Sequence, residues 1–199
     1  FFDYYNGIYI PGATFNGYSF TGNYELKGRA SERQAHIEFF DQRGQLGFSQ
    51  EVGVRVRGEW IRSLGQKALT VYARSEYDST NKFRYPLFPN TKAPGLSQAQ
   101  SKYKRFILRN NGNDWGGPQN TMCRDALMQS FFNNLHLQYQ GATMSIMFLN
   151  GEYWGIHPIR ELIDVKGLKY TYGVEEDSVV LMENNLDGYY QVVNGNDGD

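Results

Sequence analysis

The chain has 199 residues, of which 40% are hydrophobic and 21% charged, enough apolar material for a core of about one domain. Aromatic residues reach 16%, which excludes disorder across the whole chain, because disordered chains are poor in aromatic and β-branched residues. No apolar run is long enough to span a bilayer as a helix, and a single Cys123 excludes a disulfide framework or a cysteine-rich zinc site. The chain opens at Phe1 without an initiator Met or a signal-peptide pattern, as expected of one processed or cut from something longer.

The net charge of −1 hides an asymmetry. Residues 51–110 carry 12 basic and 4 acidic side chains, a net of +8, and residues 111–199 carry 4 basic and 12 acidic, a net of −8. Two readings fit: the segments neutralise each other across the folded surface, or the basic middle faces an anion. A phosphate-bearing small ligand suits a local basic cluster better than nucleic acid does, since no nucleic-acid reading motif is present.

In chain order, residues 6–12 form a short β-like run that the Pro11-Gly12 turn is expected to close. Residues 35–40 read as a strand, and 47–57 as a second in which Val52, Val54 and Val56 alternate with Gly53, Arg55 and Arg57. That period of two predicts one buried face and one face bearing two arginines. After the turn at 58–66 comes a third strand, 67–73, then a long excursion over 76–103 and a returning strand at 104–109. Pro118 suits a first helical turn, with Asn120 or Thr121 as cap. The spacing of Met128, Phe131, Phe132 and Leu135 predicts a helix over 121–136 that buries that stripe. Asp125 borders the stripe, and a carboxylate there needs a partner. Residues 142–158 predict a hairpin turning at Asn150-Gly151, the residues that best tolerate a type I′ turn. A helical pattern resumes at 160–171 and a short strand follows at 178–182. The order predicts an α+β fold, an antiparallel sheet with a helix packed on one face.

Standard catalytic signatures are absent: no P-loop, no dinucleotide fingerprint, no His-Glu-x-x-His and no Gly-x-Ser-x-Gly. His36, His136 and His157 lie far apart, so they read as structural rather than as metal ligands. What remains is a strand with Arg55 and Arg57, a glycine-containing turn, a strand opening with Lys67, a helix carrying Asp125, and a hairpin that ends at Arg160-Glu161. Such parts can hold a nucleoside triphosphate, with cations on the phosphates and a helical carboxylate holding a lysine in place. They can equally be a salt-bridge set on a sheet. The chain ends in an Asn-, Gly- and Asp-rich tail, 184–199.

Gly7-Ile8-Tyr9-Ile10-Pro11-Gly12, Gly53-Val54-Arg55-Val56-Arg57-Gly58, the Lys67 strand, Phe106 to Asp114, Arg124-Asp125-Ala126-Leu127, and Leu149-Asn150-Gly151-Glu152-Tyr153-Trp154-Gly155-Ile156 through Arg160-Glu161-Leu162-Ile163-Asp164 resemble, in that order and over most of residues 7–182, the CotH family of spore-coat-protein-H-like atypical protein kinases. The resemblance implies a protein-kinase-like N-lobe plus the start of the following lobe, ATP with Mg or Mn in the full-length parent, phosphoryl transfer to Ser or Thr of a protein substrate, and an exported, envelope or spore-coat location. It divides the chain into a β/loop extension (1–34), the N-lobe (35–158), a connecting helix and strand (159–183) and a linker or interrupted insertion (184–199). It makes Lys67 the phosphate-pairing lysine, Asp125 its helical acid, Arg57 and Arg62 phosphate contacts, and Glu161 the crossing point between lobes where the backbone meets adenine. The family's catalytic and metal-holding aspartates, in an Asp- and Trp-rich motif, do not occur before Asp199, so residues 1–199 alone are expected to be inactive and to bind ATP weakly. Asp114 and Asp164 read as loop-turn and helix-start residues. The alternatives are a non-catalytic module that recognises glycans or proteins through Trp60, Trp115 and Trp154, and a purely structural coat component.

Overall fold

In the computed structural model, residues 1–15, 20–91, 99–114, 117–135, 137–184, 188 and 190–193 are described. The strands are β1 (Pro11–Phe15), β2 (Phe20–Gly22), β3 (Arg33–Phe40), β4 (Leu46–Arg57), β5 (Ala68–Tyr72), β6 (Phe83–Arg84), β7 (Lys102–Tyr103), β8 (Arg105–Leu108), β9 (Ala142–Thr143), β10 (Ile146–Leu149), β11 (Glu152–Ile156), β12 (Ile159–Arg160), β13 (Leu181–Asn184) and β14 (Tyr190–Val193). The helices are α1 (Arg124–Ser130) and α2 (Val165–Tyr172). Six strands make one sheet in the order β3-β4-β5-β8-β12-β9, and every pairing within it is antiparallel. The fold is α+β.

Register gives this sheet two faces. Val54 pairs with Val71 and Val71 with Phe106, while Val56, Leu69, Leu108 and Ile159 form the next row. These rows are buried with Val52, Phe83, Leu87, Phe88 and Tyr103 in one apolar cluster, where the rings of Phe83 and Phe106 meet edge to face at 4.7 Å. The opposite face carries the row Arg55–Thr70–Ile107–Arg160 and the row Gly53–Tyr72–Arg105. The sequence predicts a face bearing Arg55 and Arg57; Arg57 is exposed at its end, but Arg55 is buried, as are Arg105 and Arg160 on the same face.

The 142–160 segment turns at Asn150-Gly151, whose φ angles of 53° and 83° are both positive, as a type I′ turn requires. Leu149 faces Glu152 across it. Its inner strands, β10 and β11, form a separate two-stranded ribbon, while β9 and β12 join the main sheet. The helix predicted over 121–136 is anchored to Arg160 on β12, in the main sheet.

Three expectations are corrected. Pro11 opens a strand instead of closing one. Helix α1 starts at Arg124, three residues later than expected, because its cap comes from the preceding loop: Asp114 accepts from Thr121 N at 2.8 Å and Arg124 N at 2.9 Å. The helix ends at Ser130 and tightens to a 3-10 turn over Phe131–Asn134, His136 lying outside the described residues. The stripe expected to be buried faces outward, with Met128, Phe131 and Leu135 54%, 61% and 58% exposed. The positions that find partners are polar and spaced by four: Asp125 meets arginines, Gln129 accepts from Gln140 N, and Asn133 accepts from the Tyr139 hydroxyl.

Candidate functional site

The arginine face is buried because elements outside the sheet bring carboxylates to it. Glu32, just before β3, accepts from Arg55 Nε at 3.0 Å and from Arg74 Nε and Nη2 at 2.8 Å each, and also pairs with Arg29. Burial pushes the Glu32 carboxyl up, but the bonds from Arg74, Arg29 and Arg55 outweigh it and hold the group below the usual carboxylate range. Asp164 caps α2 through Gly167 N at 2.6 Å and takes Arg105 Nε at the same distance. Tyr72 lies under three guanidinium groups, Arg55, Arg74 and Arg105, at 4.4, 4.7 and 5.9 Å.

At the far end of the same face, α1 delivers Asp125. Its Oδ2 lies 3.1 Å from Arg109 Nε and 3.1 Å from Arg160 Nη1. Neither approach has hydrogen-bond geometry: Arg109 Nε, Arg160 Nε and Nη1, Asp125 Oδ2 and Asn111 Nδ2 are all buried without a hydrogen-bond partner. Arg160 is 1% exposed and gives Nη2 to Gln140 Oε1 at 2.8 Å. Burial draws its pKa down, with Asp125 opposing. One carboxylate within ion-pair reach thus serves two guanidinium groups, with the Glu161 charge also felt at Arg160.

The expected Lys67–Asp125 pair is not made. Lys67 shares its parity with Leu69 and Val71, so it lies on the apolar face while Asp125 lies on the arginine face. Its ammonium donates to Arg62 O at 2.7 Å and Leu64 O at 2.9 Å and sits 3.9 Å from the Tyr24 ring centroid. Burial pulls its pKa down to about 8. Arg62 is also buried and donates to the carbonyls of Gly58, Tyr24 and Leu26, closing the 58–66 turn against the N-terminal segment. Arg57 is exposed at the end of β4, on the same face and at the same end as Arg109. Glu161 sits beside Arg160, half-buried, with Gly141 N on its carboxylate at 3.1 Å; burial raises its pKa. Its backbone N–H and C=O are already bonded to Gly141 and to the Gln140 side chain, so they do not present the free edge that adenine recognition expects.

Residues 54–197 match the family described as CotH kinase protein. The chain belongs to the CotH family. No curated protein matches it. Within this CotH chain, the structure separates the five sequence-nominated residues into an Arg62–Lys67 group bound to the 58–66 turn and an Asp125–Glu161 group around Arg160, with Arg57 exposed at the strand end beside them. Sequence reasoning misses Arg109 and Arg160 as the partners of Asp125. Their signal was their place directly after and within two short strands, where parity puts both on one face.

His157 is structural. It is fully buried, and since Lys67 O can only accept, Nε2 carries the proton toward it at 3.2 Å while Nδ1 accepts from Gln66 at 3.1 Å. Asn110 Nδ2 bonds Gln66 O at 2.8 Å, so the starts of β5 and β12 and the end of β8 are tied into one knot. Trp154 packs on Phe2 and Tyr9 and donates to the Tyr9 hydroxyl, which gives no open platform; Trp115 and the Trp60 side chain lie outside the described residues. Among the described residues no group of three or more His, Cys, Asp or Glu could hold a metal ion, and no helix is long and apolar enough to cross a membrane.

Proposed function

We propose that these residues form the nucleotide-holding part of a CotH-type protein kinase, which would move the γ-phosphate of ATP to a Ser or Thr hydroxyl of a partner protein in an exported, envelope or coat setting. Family membership supports the reaction class. One observation supports the nucleotide reading: a single carboxylate within ion-pair reach, Asp125, faces two guanidinium groups at 3.1 Å each, and its Oδ2 as well as donors of Arg109, Arg160 and Asn111 are left without a hydrogen bond. An unsatisfied buried donor costs about 1–3 kcal/mol, and phosphate oxygens are the acceptors that guanidinium forks fit best. Asp125 and Arg109 are 38% and 36% exposed, so a phosphate can approach the pair from solvent. Phosphoryl transfer depends mainly on positioning and charge neutralisation. Arg109 and Arg160 would neutralise, Asp125 would fix their orientation, and Arg57 would extend the cationic rim. Lys67 and Arg62 would reach a phosphate only if the 58–66 turn rearranged. ATP-dependent transfer in this family is expected with Mg or Mn, but the described residues do not fit a metal cradle, so no step is assigned to a metal.

Calorimetric titration of the 199-residue chain with ATP tests the reading. Weak, saturable binding is expected, reduced about tenfold or more by Arg160→Met, which loses charge-assisted bonds, with an unchanged circular dichroism spectrum. Radiolabelled transfer is expected from the intact protein and not from residues 1–199 alone. Absence of both ATP binding and transfer in the intact protein would defeat the proposal, and transfer by residues 1–199 alone that Lys67→Ala abolishes would return Lys67 to the site.

A further inference from the structure

Strands β5 and β8 also meet at their other ends, where Tyr72 pairs with Arg105. Arg105 and Arg109 are four residues apart along β8, about 13 Å at the rise of an extended chain. An open cleft of about 380 Å³ lies there, between the strand ends and α2, walled by Tyr72, Arg74, Lys104, Arg105, Lys166 and Tyr170. The arginines of this wall have carboxylates, Arg74 on Glu32 and Arg105 on Asp164. The two acids that also line it are engaged with other cations, Glu76 with Arg29 and Glu176 with Lys169. Lys104 and Lys166 have no carboxylate within ion-pair reach among the described residues.

A third ammonium joins them, since Lys82 stands 4.6 Å from the Tyr170 ring centroid. Burial draws the Lys104 amine below its ordinary value, and the charges of Lys82, Lys166 and Arg74 draw it down further. A run of surface lysines normally fans out into solvent. Here two lysines from separate segments, the edge of β8 and α2, line one concavity, with Lys82 of the 76–91 excursion beside it on the Tyr170 ring, against their mutual repulsion.

We propose that this cleft binds a phosphate monoester dianion, at a site distinct from the one proposed for the nucleotide. Several separate ammonium donors suit a group with three terminal oxygens and a double charge better than a planar carboxylate, which one arginine fork satisfies. The cleft falls within the size range of small-molecule sites, so it can take the body of a phosphorylated small molecule or a phosphorylated side chain; both present the same group.

Thermal unfolding of the full chain at matched ionic strength tests this with glycerol 2-phosphate and with a phosphoserine peptide, each compared with chloride. A ligand that binds the native state raises Tm with concentration, and a general salting effect is removed by comparison with Lys104→Met/Lys166→Met. The expected result is a saturable rise for the wild type with at least one probe, and a midpoint concentration about tenfold higher for each lysine removed. Which probe acts identifies the source of the phosphate. Without ligand, the double variant is expected to melt no lower than the wild type, because its repulsion is relieved. An equal rise in wild type and double variant, no saturable rise with either probe, or a rise abolished by Arg160→Met instead would overturn the proposal. Because ATP binding is assigned to the Asp125 end, its loss in Arg160→Met leaves the outcome at the cleft independent.

Discussion

The two faces of the main sheet are built from alternate residues of the same strands and are buried by opposite means. On one face Val54, Val56, Leu69, Val71, Phe106 and Leu108 pack into a single apolar cluster, where attraction is undirected and any shape of similar volume suffices. On the other, Arg55, Arg105 and Arg160 are as deeply buried, each held by a carboxylate brought from outside the sheet: Glu32, Asp164 and Asp125. Apolar burial tolerates imprecision. Charged burial fails when one partner is missing, because the survivor stays desolvated with nothing to neutralise it.

The sharpest way to break this comparison is to damage each face once. Phe106→Ala removes a ring from the apolar cluster and is expected to lower the unfolding free energy by about 3–5 kcal/mol. Glu32→Gln removes no volume, yet it leaves Arg55 and Arg74 without their acid, and a loss of about 3–5 kcal/mol is expected from charge alone. Urea unfolding with an unchanged m-value would measure both. If Glu32→Gln cost less than about 1 kcal/mol, an amount ordinary for a solvated pair, the arginine face would be wet and the comparison would fail.

Lys67 is the exception on the apolar face, a cation with carbonyls and tyrosine rings but, among the described residues, no acid within ion-pair reach. Its folded pKa of about 8 lies below the ordinary 10.5, so between these values the unfolded chain holds a proton that the folded chain has released. Stability therefore rises with pH from about 8. Above 10 the trend is opposed by Tyr9, whose hydroxyl burial pushes up to about 12. Thermal unfolding between pH 7.5 and 10 is expected to show a rising Tm that Lys67→Met flattens; a flat wild-type profile would place the amine in water.

The hold of α1 on the arginine face can be tested from the acid side. Asp114 caps the helix, and the backbone N–H groups of Arg124 and Thr121 draw its carboxyl down to about 2. Its stabilisation is complete above the ordinary value of 3.8 and is lost as pH falls toward 2. Asp114→Asn is expected to remove that part of the acid dependence, read as a shallower fall of Tm between pH 4 and 2.

Much of the sheet was legible in the sequence because its period of two is carried by Val, Ile and Leu, and the Asn150-Gly151 turn because both positions need positive φ. The arginine face was only half legible: the alternation of Arg55 and Arg57 with valines identifies the face, but not the distant acids that close it, since Glu32 and Asp164 lie 23 and 59 residues from their arginines. The parity that puts Leu69 and Val71 in the core puts Lys67 there too, which an expected pair with Asp125 overlooks. Helix α1 misleads for another reason. An apolar stripe gives a helix a direction, but the helix binds by whichever face finds partners, and one buried and one half-buried guanidinium group are a stronger demand than four exposed side chains.

That reversal gives the smallest expected effect and the most discriminating one. Met128 and Phe131 belong to the best apolar spacing in the helix, so a buried stripe would make Met128→Ser/Phe131→Ser cost several kcal/mol in lost transfer energy and cavities. With both side chains more than half exposed, the change is expected to stay within about 0.5 kcal/mol per site, as for ordinary surface positions. Asp125→Ala on the opposite face should cost more than the pair together, since it leaves Arg109 and Arg160 facing each other. Urea unfolding of the three chains orders them: if the double serine variant is the least stable, α1 is rotated by about half a turn, Asp125 leaves the arginines, and the arginine face loses the acid that closes its far end.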